Sequence, residues 1–354
     1  MNIQQSNART NVLKVAMIGC GRISVMHFDG ILRCRHAQLV ACCDVVEQKA
    51  VAAAKKYGCN AYVSYQEMFK SEKIDAVHIC LPHYLHAPVA QYAISLGIHV
   101  LTEKPMAISL QDAKDTVRLA KEKGVSYAVI FQCRYNAATK LVKRRAEEGK
   151  RGGKLGSLIC ASSVLTWSRS DEYYSHSDWK GTWDKEGGGV IIDQAIHSID
   201  LVNYVTDAPV KRVRASMDNQ GHDLVSVEDS AHGIVEYENG VKYCFYCTNN
   251  FCIDEPIEIK MIFEGGRAVF SYDAAEIVYA DGTKETIAND ETEQSVDGGK
   301  DYWGFRHAEQ IQKFYEALLG LHPLEISGED ALKTHQLICR IYEEGKKTFK
   351  SKND

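Results

Sequence analysis

A chain of 354 residues is longer than one ordinary core accommodates, so two domains are expected. Hydrophobic residues make up 45% and charged ones 25%, as in a soluble globular protein, and no run is long and apolar enough to span a bilayer. The formal net charge of -5 gives no electrostatic reason to bind nucleic acid or an anionic membrane.

The polar stretch from Met1 to Asn11 lacks an apolar signal core, and the 12 cysteines show no framework spacing. A cytoplasmic location with reduced thiols is the expectation. Cys244 and Cys247 have CxxC spacing but sit in an aromatic run that reads as strand. Residues three apart on a strand point to opposite faces, so no paired thiol site is expected there.

From Val12 to about Glu148, apolar runs alternate with helical stretches. The runs are Val12 to Gly19, Leu39 to Val46, Ala76 to Leu81, His99 to Leu101 and Tyr127 to Phe131. Helical patterns cover Arg22 to Arg33, an Ala-rich stretch ending at Tyr57, Ala87 to Leu96 and Leu110 to Lys123. Such alternation predicts an α/β fold with a doubly wound parallel sheet. After Gly149, β-type runs are joined by Asn239-Gly240, Gly265-Gly266 and Asp281-Gly282, each suited to the positive φ of a tight turn. The second half is therefore expected to be α+β, with a large, open, mostly antiparallel sheet and a helix inserted from about Gly189 to Val205. Two further helices follow, Trp303 to Leu319 and Gly328 to Phe349, the second capped by Ser327. Residues 1–136 and 137–354 are the two expected domains, with the C-terminal helix returning to the first.

The first strand ends in Gly19-Cys20-Gly21-Arg22-Ile23-Ser24. Paired glycines allow a sharp turn and bring backbone N–H groups to a pyrophosphate at the helix N-terminus. Ser24 stands where the motif usually has Gly or Ala, and it is small enough to pack helix on strand. Asp44, at the end of the next strand, is placed to accept from ribose hydroxyls and to repel a 2′-phosphate, which favours NAD over NADP. A flavin or another nucleotide on the same fold is the competing reading.

Two more motifs narrow the field: Glu103-Lys104-Pro105 at a strand end, and Asp193-Gln194-Ala195-Ile196-His197 after a glycine triplet. With the glycine turn, the segments Leu81-Pro82-His83-Tyr84-Leu85-His86, Phe131-Gln132-Cys133-Arg134-Tyr135-Asn136 and Trp179-Lys180-Gly181-Thr182-Trp183 make an ordered set. The chain thereby resembles the Gfo/Idh/MocA family of glucose-fructose oxidoreductase and inositol dehydrogenases, over nearly its whole length. The resemblance implies that residues 1–136 are a dinucleotide-binding Rossmann domain, that residues 137–354 bind substrate and support a dimer or tetramer through the open sheet, and that NAD is held between the domains. It places Gly19, Gly21, Arg22, Ile23, Asp44, Leu81, His83, His86, Glu103 and Lys104 on the cofactor. Lys104, Asp193 and His197 take the catalytic positions. Family members often carry Thr-Pro-Asn where this chain has Leu81-Pro82-His83, and Pro where it has Ala137.

Oxidising a secondary alcohol removes a hydride from carbon and a proton from oxygen. Histidine suits proton acceptance near neutral pH, so His197 is the expected acid–base group. Asp193, four residues earlier, is expected to grip a neighbouring hydroxyl, and Lys104 to polarise the reacting oxygen. Gln132, Arg134, Tyr174, Trp179, Trp183 and His307 are candidate pocket residues, with helix capping as the bland reading for His307 and buried packing for the tryptophans. No metal is expected, because Asp193 and His197 lack a third ligand at suitable spacing.

The expected activity is NAD-linked dehydrogenation of a ring hydroxyl, with C3 the first carbon to test, on a sugar, glycoside or inositol. Two alternatives stand beside it: a non-catalytic sugar- or NAD-sensing regulator of the same fold, and an enzyme that recycles a tightly bound NAD.

Overall fold

The computed structural model describes residues 12–271, 274–288 and 306–349. Its first sheet contains β1 (Leu13–Ile18), β2 (Ala37–Cys43), β3 (Asn60–Tyr62), β4 (Ala76–Ile79), β5 (His99–Thr102) and β6 (Tyr127–Val129). These lie in the order β3-β2-β1-β4-β5-β6, and all neighbours run parallel. The connecting helices are α1 (Ser24–Arg33), α2 (Glu47–Tyr57), α3 (Tyr65–Ser71), α4 (His83–Ser95) and α5 (Leu110–Lys123). Strands buried on both faces by helices need no polar side, which is why Ala76–Ile79 is buried throughout. The order reverses between β1 and β4, and ligands to such sheets collect at that switch point.

Helix α6 (Ala137–Lys150) leads to an eight-stranded sheet of β7 (Leu158–Thr166), β8 (Val210–Asp218), β9 (Ser230–Tyr237), β10 (Lys242–Thr248), β11 (Glu258–Phe263), β12 (Gly266–Phe270), β13 (Ala274–Tyr279) and β14 (Lys284–Ala288). Within it β7 and β10 pair in parallel, and the other described neighbours are antiparallel. Helix α7 (Asp171–Ser175) and α8 (Ile196–Thr206) sit between β7 and β8 in the chain, and α9 (His307–Leu318) and α10 (Gly328–Gly345) follow the sheet. Trp303, with Tyr302, Gly304 and Phe305, lies outside the described residues.

Two short elements, β3 and α3, were not anticipated, because three strand residues and seven helical ones are too few to show a period. Gly240 and Gly282 turn with φ of +87° and +83° as expected. The Gly265-Gly266 turn works differently: a Cβ at Gly265 would lie 2.1 Å from the Lys154 carbonyl oxygen, so close approach, not positive φ, demands glycine. On β10 Cys244 is exposed and Cys247 buried, so the CxxC sulfurs diverge. Ser327 caps α10 by accepting from the Asp330 N–H.

Helix α9 returns to the first sheet and packs on α1. A side chain at Gly30 would collide with Ile311, 2.5 Å away, so glycine sets how closely the two helices approach. Gln310 of α9 donates to the Val129 carbonyl and accepts from the Phe131 N–H, keying α9 to the end of β6.

Candidate active site

Immediately after β1, Gly19 adopts φ +92°, and a Cβ there would lie 2.1 Å from the carbonyl oxygen of Cys80, just past β4. Only glycine fits. At Gly21 a Cβ would meet nothing within 4 Å, so this backbone faces open space at the switch point, the cradle a pyrophosphate requires. Ser24 is buried and its hydroxyl donates to the Gly21 carbonyl at 2.6 Å, so serine performs the packing role of a third small residue. Asp44 accepts from the Cys20 N–H and the Val46 N–H, both at 2.9 Å, and so ties the glycine turn to the end of β2. The Leu81 side chain borders Gly19, and Arg22 is exposed beside Ile23 at the turn. These residues fit a dinucleotide.

Lys104 follows β5 at the same C-terminal edge of the sheet. Its partner Asp193 lies in a π-helical turn, Ile191–Ala195, that runs into α8, and such turns recur at functional sites. The glycine triplet explains how the turn is seated: a Cβ at Gly188 would lie 2.0 Å from the Tyr342 hydroxyl, and one at Gly189 would lie 1.9 Å from the Glu228 carbonyl oxygen. Lys104 Nζ donates to Asp193 Oδ1 at 3.1 Å and to the Asp193 carbonyl at 2.8 Å. Asp193 Oδ2 accepts from Tyr173 OH at 2.9 Å, Gln194 Nε2 at 2.6 Å and Lys180 Nζ at 3.2 Å. Lys180 also donates to the Tyr173 hydroxyl. Two ammonium groups thus share one carboxylate, an electropositive balance suited to an oxygen that gains negative charge.

His83 donates from Nδ1 to the Glu186 carbonyl at 2.9 Å, and burial holds its pKa well below the ordinary histidine value. The neutral ring therefore presents its Nε2 lone pair 3.9 Å from Asp193 Oδ1, and the Trp179 ring packs against it at a tilt of 56°, centroids 4.7 Å apart. His197 stands one turn beyond Asp193, buried, with Nδ1 3.9 Å from Cys133 Sγ on the 3-10 turn that follows β6. On that turn Gln132 is buried, and among the described residues its Oε1 has no hydrogen-bond partner. Tyr174 is buried, and its hydroxyl accepts from Asn249.

Five expected site residues are committed elsewhere. Arg134 donates to both oxygens of Asp200, at 2.8 and 2.6 Å, and also to Asp330. Glu103 and His307 meet in a buried cluster, 2.9 Å apart. His86 spans the carbonyls of Leu81 and Pro105, at 2.7 and 2.6 Å, and braces the two loops. Trp183 packs edge-on against Tyr342 and Phe349, with Lys346 over its ring. Conversely Lys180, Tyr173 and Gln194 were not singled out as partners of Asp193, although each neighbours a residue that was.

Glu228, beneath the π turn, is fully buried. Burial raises its pKa to about 7, although the N–H groups of Ile191 and Gly189 and the Tyr342 hydroxyl favour its anion. Burial and the nearby Asp193 charge raise Glu186 to about 8. A carboxyl whose folded pKa exceeds its unfolded value contributes stability that is complete below the unfolded pKa and lost as pH rises through the folded one. Unfolding free energy is therefore expected to fall between about pH 5 and pH 8, by on the order of 3 kcal/mol for Glu228. In urea titrations across that range, Glu228→Gln should remove that part of the decline. An unchanged pH slope in the variant would refute the assignment.

Two family models cover most of the chain: an oxidoreductase family with an NAD-binding Rossmann fold matches residues 13–131, and the GFO/IDH/MocA C-terminal domain matches residues 144–269. The chain belongs to the Gfo/Idh/MocA oxidoreductases. Its first sheet is the family's NAD-binding Rossmann fold. D-glucoside 3-dehydrogenase of Escherichia coli (strain K12) is 26% identical over 357 residues, spanning 96% of this chain and 97% of that protein. Myo-inositol 2-dehydrogenase of Thermotoga maritima is 24% identical over 339 residues, spanning 90% and 92%. The WlbA dehydrogenase from Bordetella pertussis, solved with NADH and UDP-GlcNAcA, superimposes with a TM-score of 0.80 at 26% identity, covering 95% of this chain and 97% of that one. Among the described residues no helix is long and apolar enough to cross a membrane.

Proposed function

We propose that this protein catalyses reversible NAD-linked dehydrogenation of a ring secondary hydroxyl on a sugar, glycoside or inositol, the C3 hydroxyl of a glucose-like ring being the first candidate. The observation that carries the reading is the 3.1 Å contact between Lys104 and Asp193, which joins the sheet edge bearing the glycine turn to the helix bearing His197. Bound NAD supplies the hydride acceptor or donor. The chain's own residues do the rest. Lys104 polarises the reacting oxygen and stabilises alkoxide character as the proton leaves. His197 accepts that proton, and returns it in the reverse direction. Asp193 and the His83 lone pair accept hydrogen bonds from hydroxyls on neighbouring carbons, which orients the ring. Gly19, Gly21, Arg22, Ile23, Asp44 and Leu81 hold the dinucleotide, and Gln132, Tyr174 and Trp179 line the pocket.

In this reading residues 1–136 bind the dinucleotide, and residues 137–354 supply the substrate site and the assembly surface. The outer face of the larger sheet exposes Val164 (39%), Ile234 (41%) and Tyr246 (44%). Tyr246 pairs with Val164 in register, giving an apolar row across adjacent strands that a second copy would cover. Twelve free thiols fit a reducing cytoplasm.

Absorbance of NADH, followed with NAD and a panel of sugars, glycosides and inositols, tests the proposal. At least one ring polyol should yield NADH, and His197→Ala should cut turnover by about 10²- to 10⁴-fold. A panel in which none reacts, or an alanine variant as fast as wild type, would sink it.

A further inference from the structure

Glu103, one residue before Lys104, lies in a closed circuit of buried side chains that begins and ends on α9. His307 of α9 places Nε2 2.9 Å from Glu103 Oε1, and His27 of α1 places Nε2 3.0 Å from the same oxygen. His27 Nδ1 lies 2.7 Å from His78 Nδ1 on β4, and His78 Nε2 lies 2.6 Å from the Tyr315 hydroxyl, back on α9. The second oxygen of Glu103 accepts from the Lys104 N–H at 3.2 Å. His27, His78 and Tyr315 are 0% exposed, so their contacts are shielded from bulk solvent.

The protonation of each member follows from the others. Burial alone would raise the Glu103 pKa, but the donors from His27 and His307 outweigh it and hold the carboxyl well below its usual range. An ionised carboxylate only accepts, so His27 must donate from Nε2. Burial lowers the pKa of His27 and holds that of His78 far down, so both rings are neutral with one N–H each. His27 Nδ1 then carries a lone pair and accepts from His78 Nδ1–H, and His78 Nε2 accepts from the Tyr315 O–H. Every hydrogen in the circuit points toward Glu103. His27, Glu103 and His307 offer ligand atoms within 4.8 Å of one another, a spacing a metal also accepts, but two N–H donors on one oxygen already satisfy the carboxylate.

We propose that His307 is a positioning residue for Lys104: with His27 it clamps the Glu103 carboxylate, the clamp fixes the backbone of Lys104, and α9 is thereby part of the machinery that aims the ammonium group. The inference rests on the role given to Lys104 above. A loop released from the clamp lets the ammonium drift, and displacement of about 1 Å costs up to about 10²-fold in rate without altering the groups that bind cofactor or substrate.

The test uses the full-length protein and the polyol that reacts best in the panel. His307→Leu should lower kcat about 10- to 100-fold with KM and NAD affinity nearly unchanged. His307→Gln, whose amide can donate from the position of Nε2, should recover most of that loss. Equal behaviour of the Leu and Gln variants, or a loss expressed in KM alone, would overturn the proposal. A second readout needs no turnover: ¹⁵N-histidine NMR of the free protein should show His27 as the Nε2–H tautomer and His78 as the Nδ1–H tautomer. Reversed tautomers, or one equivalent of tightly bound divalent metal in the purified protein, would contradict the donor circuit even if the Leu variant failed to fold. If Lys104→Met keeps full turnover, the catalytic reading fails. If that variant is inactive while His307→Leu is normal, only this inference fails.

Discussion

Replacing Lys104 with methionine is expected to lower kcat by about 10²- to 10³-fold, while NAD affinity stays within about threefold. Methionine keeps the length and apolar stem of lysine and removes only the charge. Lys104 Nζ donates to the Asp193 carboxylate and carbonyl, and the glycine turn is held by the Asp44 carboxylate, so the change removes no group that shapes the cradle. Asp193 is not stranded either, because Lys180, Tyr173 and Gln194 remain on Oδ2. What disappears is one of two cations around a single carboxylate, and with it the excess positive charge available to an oxygen losing its proton. Steady-state kinetics with fluorescence titration of NAD separates the possibilities. A variant with raised KM and normal kcat would mark Lys104 as a ground-state binder, and one indistinguishable from wild type would remove it from the mechanism.

The second large effect concerns stability. Arg134→Leu is expected to cost about 3–5 kcal/mol, the usual consequence of stripping one partner from a buried ion pair. Asp200, 1% exposed, receives both guanidinium bonds together with the Thr334 hydroxyl at 2.7 Å. Burial opposes the charge on Arg134, yet Asp200 and Asp330 keep it more firmly protonated than an ordinary arginine. The guanidinium also lies over the Tyr204 ring at 4.6 Å, so the residue joins the turn after β6 to α8 and α10. Replacing Asp200 as well, with leucine, removes the stranded charge and should recover much of the loss. Urea unfolding of wild type, single and double variants checks the sign. A single variant within about 1 kcal/mol of wild type, or a double variant less stable than the single, would contradict it.

The parts of this molecule legible in its sequence are those whose chemistry is local. A glycine pair between a strand and a helix, followed by Asp44 at the next strand end, announces the dinucleotide cradle because turn, helix start and carboxylate sit within one βαβ unit. Ser24 was readable as a packing residue for the same reason. Side chains whose partners lie far along the chain were not legible. Glu103 and His307 are separated by 204 positions and Arg134 and Asp330 by 196, so nothing beside them reveals that their polar groups are already engaged. The π turn at Asp193 is not legible in the sequence either, since its register is set by Tyr342 and Glu228 beneath it, not by its own residues. The glycine triplet is visible in the sequence, but its meaning, close approach of the turn to those two residues, lies in the fold.

In the proposed mechanism Lys104 from the first sheet and His197 from the second half act on one oxygen. A crystal structure of the ternary complex with NAD and the reactive sugar measures this directly. The prediction is that the hydroxyl on the carbon nearest the nicotinamide lies within hydrogen-bond distance of Lys104 Nζ and of the His197 ring. A sugar whose reacting oxygen meets neither group, or a dinucleotide bound away from the bare backbone at Gly21, would contradict it.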